Sequence, residues 1–194
     1  DKFGPTAYGA PGAGLDTDDH TRWIGQGALW ELDFSKKTSV CRDILGFVPG
    51  SLMHWRFYRQ NGRTFLYGMG QSNTLCEMEP DGSIRPLACF GSAHHFSYSS
   101  RWKPPAAFVE AYTRVYPNDK YQSGMDGRPN HGPGMLWVDR NGDRKMQAEE
   151  FEFSTNADAM AGGSWGHELA DLTIRVPVTV GGKPAIAVLK PDGF

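Results

Sequence analysis

The chain has 194 residues, 39% of them apolar and 12% aromatic, with 20 basic and 22 acidic side chains and a formal charge of −2. Such a composition suits one globular domain that buries a substantial core. It offers no basic stripe for a nucleic-acid backbone, no apolar run of the roughly 20 residues that a membrane span needs, and no signal-peptide pattern at the start.

In chain order, "GAPGAG" (9–14) precedes an acidic turn instead of a helix, so it is no phosphate cradle. The turn "LDTDDH" offers Asp16, Asp18, Asp19 and His20 as oxygen and imidazole ligands, but without a regular scaffold it reads as an exposed acidic loop. Strand signals then dominate. "GALWELDF" and "VCRDIL" flank the polar "SKKTS", and "SLMHWRFYRQNGRTFLYGMG" is two strands around Asn61-Gly62, a strong hairpin signal. "TLCEME", "SIRPLACF", "GMLWVD", "EFEFS", "DLTIRVPVTV" and "AIAVLK" continue the series, separated by turn residues. The fold class expected is all-β and antiparallel. Pro86 and Pro177 belong at edges or bulges, because proline has no N–H for a ladder. His54 beside Trp55, and His167 near Trp165, read as packing residues.

The three cysteines have no CxxC, haem-attachment or zinc-ligand spacing. A hairpin closing on Asp81-Gly82 puts Cys76 opposite Leu87 and Cys89 opposite Thr74. The thiols then sit diagonally on one face, about 7–8 Å apart at Cα. A disulfide prefers about 5.5–6 Å, so buried free thiols are expected.

The strand pattern lapses over an insertion at about 91–133. Within it, "PPAAFVEAYTRVYP" reads as a short amphipathic helix with Pro105 at its first position and Pro117 as its stop. Phe108, Val109, Tyr112, Val115 and Tyr116 are expected on its apolar face. Tyr98, Trp102, Tyr112 and Tyr121 cluster around it, as a stacking surface or as the plug under a long loop. Long insertions in regular β arrays are where function or a subunit contact concentrates.

Two short segments recur. "GALWELD" (27–33) is similar to "GMLWVD" (134–139), and "EPDG" (79–82) to "KPDG" (190–193). In style the chain resembles bacterial secreted β-propeller repeats, which implies about three blades within a single unit, 1–194, of a larger propeller. The Pro191-Asp192-Gly193 turn with no strand after it adds to the expectation of further blades or another chain as partner.

"DRNGDRKMQAEE" (139–150) has the spacing of a calcium loop. Asp139, Asn141 and Asp143 stand at positions 1, 3 and 5, Lys145 supplies a carbonyl at 7, Gln147 stands at 9 and Glu150 is the bidentate ligand at 12. A hard cation wants six to eight oxygens, and alternate side chains of a curled loop point inward together. Position 6, glycine in an EF-hand, is Arg144, and a strand instead of a helix precedes the loop. The loop resembles the isolated calcium loops of extracellular bacterial proteins, akin to dockerin repeats. That resemblance implies Ca2+ as a structural ion and a periplasmic or secreted location, where millimolar calcium suits a Kd of about 10⁻⁴–10⁻³ M.

Two function classes follow. One is a calcium-stabilised propeller module that binds a protein or a polysaccharide through the insertion. The other is part of a secreted catalytic propeller of the lyase, hydrolase or quinone-dependent dehydrogenase type, with His94, His95, His131 or Arg101 at a channel mouth. No nucleophile elbow, P-loop or dinucleotide fingerprint is present, and the sequence leaves enzymatic activity undecided.

Overall fold

A computed structural model describes residues 13–25, 28–44, 52–70, 72–96, 104–119, 121, 131–154, 159–161, 167–168 and 171–192. They form a mainly antiparallel β fold with one α-helix. The strands are β1 (Ala13–Leu15), β2 (Arg22–Gly25), β3 (Ala28–Asp33), β4 (Thr38–Ile44), β5 (Leu52–Gln60), β6 (Arg63–Gly70) and β7 (Ser72–Met78). After them come β8 (Ile84–Ser92), β9 (His131–Val138), β10 (Phe151–Phe153), β11 (Ala159–Ala161), β12 (His167–Glu168), β13 (Ile174–Val180) and β14 (Lys183–Leu189). The helix α1 (Ala106–Val115) lies between β8 and β9. Hydrogen bonding runs in the order β12-β13-β11-β9-β8-β7-β6-β5-β1-β2-β3-β4, with β10 added to β9 and β14 to β13. Among the described residues this path stays open at both ends.

Turn chemistry fixes the register. Asn61 and Gly62 both take positive φ, +50° and +75°, as a tight hairpin with the right twist requires, and Gln60 pairs with Arg63 beside them. The β7–β8 hairpin is less regular. Met78 pairs with Ile84 and Cys76 with Pro86, but Leu75 pairs with Ala88, so Leu87 is an extra residue in β8. Cys89 still faces Thr74 as expected, whereas Cys76 faces Pro86 instead of Leu87. Pro86 thus sits beside a bulge, which suits its missing N–H. Both thiols are free and fully buried, and burial pushes their pKa values well up.

The central strands are buried on both faces, which is why "FLYGM" reads as a continuous run instead of an alternation. On one face Ile24, Leu29, Trp55, Leu66, Cys76 and Ile84 pack together. Farther along that face, Cys89, Met135 and Trp137 meet Phe96, Phe108 and Tyr112. On the other face Tyr67 and Phe90 meet Ile174 and Val176 of β13.

The helix forms in the expected segment but starts one residue later: Pro105 is the cap before the first turn instead of its first residue, with the Val109 N–H bonding to the Pro105 carbonyl. Its buried face is narrower than expected: Phe108, Ala111 and Tyr112 are buried, while Val109 and Val115 are 36% and 38% exposed. The helix has only one stripe to bury because it lies on the single layer made by β9, β10 and the preceding turn. Phe108 stacks on Phe96 at 4.2 Å and meets Phe151 edge-on at 5.6 Å. At the helix end, the Tyr116 hydroxyl donates to the Ser154 carbonyl.

Candidate functional site

The acidic loop 139–150 is held at both ends by the sheet. The Asp139 N–H donates to the carbonyl of the bulge residue Leu87 at 2.9 Å, and Phe151 pairs with Trp137 where β10 returns along β9. Inside the loop, Asn141 Oδ1 accepts from the Asp143 N–H (2.9 Å), Asp143 Oδ1 from the Lys145 N–H (2.8 Å), and Asp143 Oδ2 from the Gln147 amide (2.7 Å). These local bonds curl the chain, as short polar side chains do in turns.

The residue at position 6 of the expected loop has a left-handed backbone. Arg144 has φ +65°, and its N–H donates to Asp139 Oδ2 at 3.3 Å. A non-glycine residue there costs about 1–2 kcal/mol. The arginine guanidinium lies 3.7 Å from Glu79 in the β7–β8 turn. Asp139 Oδ1 is buried and makes no hydrogen bond among the described residues.

Glu150 is only 5% exposed and braces the loop. Its Oε1 accepts from the Arg140 N–H at 3.0 Å. Its Oε2 accepts from the Trp137 indole N–H at 3.0 Å and the Gln147 N–H at 3.3 Å. The sequence offers this carboxylate as a bidentate ligand, whereas the structure has it engaged by three donors. Each carboxylate oxygen has about two acceptor sites. Counting them leaves Oε1 one free site and Oε2 none, so Glu150 has capacity for one further bond without breaking any of these. Among the described residues no group of three or more His, Cys, Asp or Glu side chains converges as around a metal ion.

Of the other expected site residues, the histidines lie on two neighbouring elements, since the turn Ala93–His95 packs against β9. His94 is buried in the 3-10 turn Ala93–His95, which also contains His95, and His131 opens β9. Arg101, Tyr98 and Trp102 lie outside the described residues. Tyr112 and Tyr121 pack against Phe108 in the core, as the plug under the insertion. The "LDTDDH" loop departs from its expected exposure at one residue. Asp16 is fully buried, accepts the Asp18 and Asp19 N–H groups, and meets the Arg59 guanidinium at 2.5 Å. Arg59 comes from β5, 43 residues away, so nothing local announces the pair.

Three features had no clear signal in the sequence. One is the ion chain on β6–β8, in which Glu77 accepts from Nε and one terminal nitrogen of Arg63 at 2.6 and 2.8 Å and from Arg85 at 2.5 Å. Arg63 first, then Arg85, holds the Glu77 carboxyl below its ordinary pKa against the opposing effect of burial. The second is the bracing of Glu150 by Trp137. The third is a cleft of about 410 Å3 between β8–β9 and β13–β14, where Leu87, Leu136, Val138 and Leu189 form an apolar wall beside Asp139 and Lys190. Its size is that of a small-molecule pocket.

No protein-family model matches the chain, and no curated protein or solved structure matches it.

Proposed function

We propose that the chain is a calcium-stabilised module of a secreted or periplasmic propeller-type protein, and that it binds a protein or a polysaccharide. The observation that carries this reading is the loop 139–150. Arg144, at position 6, has the positive φ of an EF-hand glycine and donates its N–H to the carboxylate at position 1. In this reading Asp139, Asn141 and Asp143 supply side-chain oxygens, Lys145 its carbonyl and Gln147 its amide oxygen. Glu150 binds through Oε1 alone while it keeps bracing Trp137. One carboxylate oxygen fewer than an EF-hand supplies means a weak site, in the class of extracellular modules with Kd of about 10⁻⁴–10⁻³ M.

The ion's role is structural. Carboxylates crowded in one loop repel, and a cation that binds only the folded form stabilises it in proportion to RT ln(1 + [L]/Kd). Fixing the loop also fixes β9 against β10, and thereby the layer on which α1 rests. The propeller assignment draws on the recurring Leu-Trp segments, since Trp30 and Trp137 both lie in the first strand of an antiparallel pair, opposite Cys41 and Phe151. Partner binding falls to the outer side of the insertion, where α1 exposes Val109, Glu110, Thr113 and Arg114.

The experiment is calorimetric titration of the metal-free protein with calcium and with magnesium. Saturable binding of calcium alone, weakened at least about tenfold by Asp143→Ala, is the expected result. Equal heats from both ions, or from both proteins, would remove the ion from the account. For the partner, glycan-array and pull-down binding is compared between the protein and its Val109→Asp/Arg114→Glu variant. Unchanged binding of every partner would sink the role given to the insertion.

A further inference from the structure

We infer that the cleft between β8–β9 and β13–β14 binds a small amphiphilic carboxylate, with its apolar tail inward and its headgroup on the arginines at the mouth. The inference is independent of the reading of residues 139–150 as a calcium loop. Strand register orders the cleft from charge to hydrocarbon. At the turn end of the sheet Phe65 pairs with Glu77, and Glu77 with Arg85. Two residues farther in, Leu75 pairs with Ala88 and Ala88 with Val138, and beyond them Phe90 pairs with Leu136. The charged lining groups Arg63, Arg85 and Asp139 thus belong to the turn end, and Leu75, Val138 and Leu136 to the interior. Lys190 and Asp192, after β14, complete the charged part of the lining.

The cleft is preformed. The β13–β14 hairpin is clamped to the sheet where Ile174 and Val176 meet Tyr67 and Phe90, and again where Leu172 meets Phe65 and Leu75. Leu172 is 1% exposed and has φ +60°, a conformation that a bulky side chain keeps only where packing dictates it. Such strain clusters at ligand clamps. The headgroup follows from the donors left over at the mouth. Arg63 uses Nε and one terminal nitrogen on Glu77; Arg85 uses one terminal nitrogen on Glu77 and sets its Nε 2.8 Å from Glu79. Each guanidinium therefore keeps its second terminal nitrogen, with two N–H groups. Arg63 is also held over the Phe65 ring, 4.9 Å from its centre, so it is positioned before any ligand arrives. Three cations and two carboxylates line the cleft, and of Asp139 one oxygen takes the Arg144 N–H while the other is buried. Arginine donors beside an apolar interior suit a carboxylate with a hydrocarbon tail, and about 410 Å3 suits a small one.

The probe is octanoate, titrated calorimetrically into the protein in EDTA beside hexanoate, decanoate and octylamine; EDTA keeps the result separate from the calcium reading. Saturable binding of octanoate is expected, tightening about fourfold per methylene from hexanoate to octanoate. Octylamine, with the same tail and the opposite charge, should bind at least about tenfold more weakly. Val138→Trp, which fills the cleft from β9, should abolish octanoate binding. Lys190→Glu changes an exposed residue and so leaves the fold intact; it should weaken octanoate about three- to fivefold. No saturable binding of any of the three acids, or octylamine binding as tightly as octanoate, would overturn the inference. So would an unchanged octanoate affinity in a folded Val138→Trp protein, because the acid would then sit elsewhere. If circular dichroism shows that Val138→Trp does not fold, Lys190→Glu decides, and an affinity equal to the parent's overturns the inference.

Discussion

Removing Glu150 tests whether the loop is braced from within, independently of any ion. In Glu150→Ala the Trp137 indole N–H and the Arg140 N–H lose their acceptor, and the Gln147 N–H loses a weaker one. Trp137 is 1% exposed, so water does not readily replace the carboxylate there. A buried donor left unsatisfied costs about 1–3 kcal/mol. Only the indole is such a donor; Arg140 is exposed and its N–H can turn to water, so with the Arg140 and Gln147 bonds as minor additions the loss is about 2–3 kcal/mol. For a chain of this size that is a midpoint fall of about 4–12 °C. Glu150→Gln should lose less, about half, because its amide keeps one acceptor oxygen. The assay is urea and thermal unfolding in EDTA, followed by near-ultraviolet circular dichroism. A cost below about 1 kcal/mol for Glu150→Ala would refute the reasoning, since it would mean that the indole and amide donors find other partners. The same logic makes Glu150→Ala a poor probe of calcium, and Asp143→Ala the better one.

Asp16→Ala removes a fully buried charge that Arg59 and two backbone N–H groups share. With Arg59 32% exposed and able to reach water, the expected loss is about 2–3 kcal/mol, at the low end for a broken buried pair, read from urea unfolding. Glu77 links stability to pH. Because Arg63 and Arg85 lower its folded pKa, its contribution is complete above its ordinary value of about 4.5 and is lost as pH falls through the lower folded value. In Glu77→Gln the slope of stability against pH below about 4.5 should be visibly shallower; an unchanged slope would contradict the assignment. Phe108→Ala should cost about 3–5 kcal/mol, since Phe108 is fully buried and in ring contact with Phe96, Tyr121, Phe151 and Phe153. A smaller loss in calorimetry would show that α1 is a surface appendage.

The elements that the sequence makes plain are those whose cause is local. Asn61-Gly62 specifies its hairpin by φ alone, and Pro105 with Pro117 brackets α1. The short strands β1, β2, β11 and β12 carry too few residues for a period to show; β2 has only Trp23 and Ile24 between Arg22 and Gly25. They are strands because neighbours supply hydrogen-bond partners. Val109 and Val115 stay exposed although they share the apolar period, because periodicity marks which residues are apolar, while the depth of the covering layer decides which are buried. The Leu87 bulge escaped for a related reason, since it arises where the five-residue turn from Glu79 to Ser83 must be reconciled with the pairing of Cys89 and Thr74. In the candidate site, the spacing of Asp139, Asn141 and Asp143 was legible, and so was the demand for positive φ at Arg144. That Arg144 reaches Glu79 depends on a contact 65 residues apart, which no window on the sequence contains, and that Glu150 faces Trp137 depends on how β10 returns along β9.

The most direct test of calcium stabilisation is a thermal melt in EDTA, repeated with millimolar calcium and with millimolar magnesium. At ten times Kd, binding to the folded form alone adds about 1.4 kcal/mol, a rise of about 3–6 °C for this length of chain. A rise of that size with calcium, absent with magnesium and absent in Asp143→Ala, is the predicted result. An identical midpoint in all three solutions would contradict it and leave residues 139–150 as a strand connection braced by Glu150.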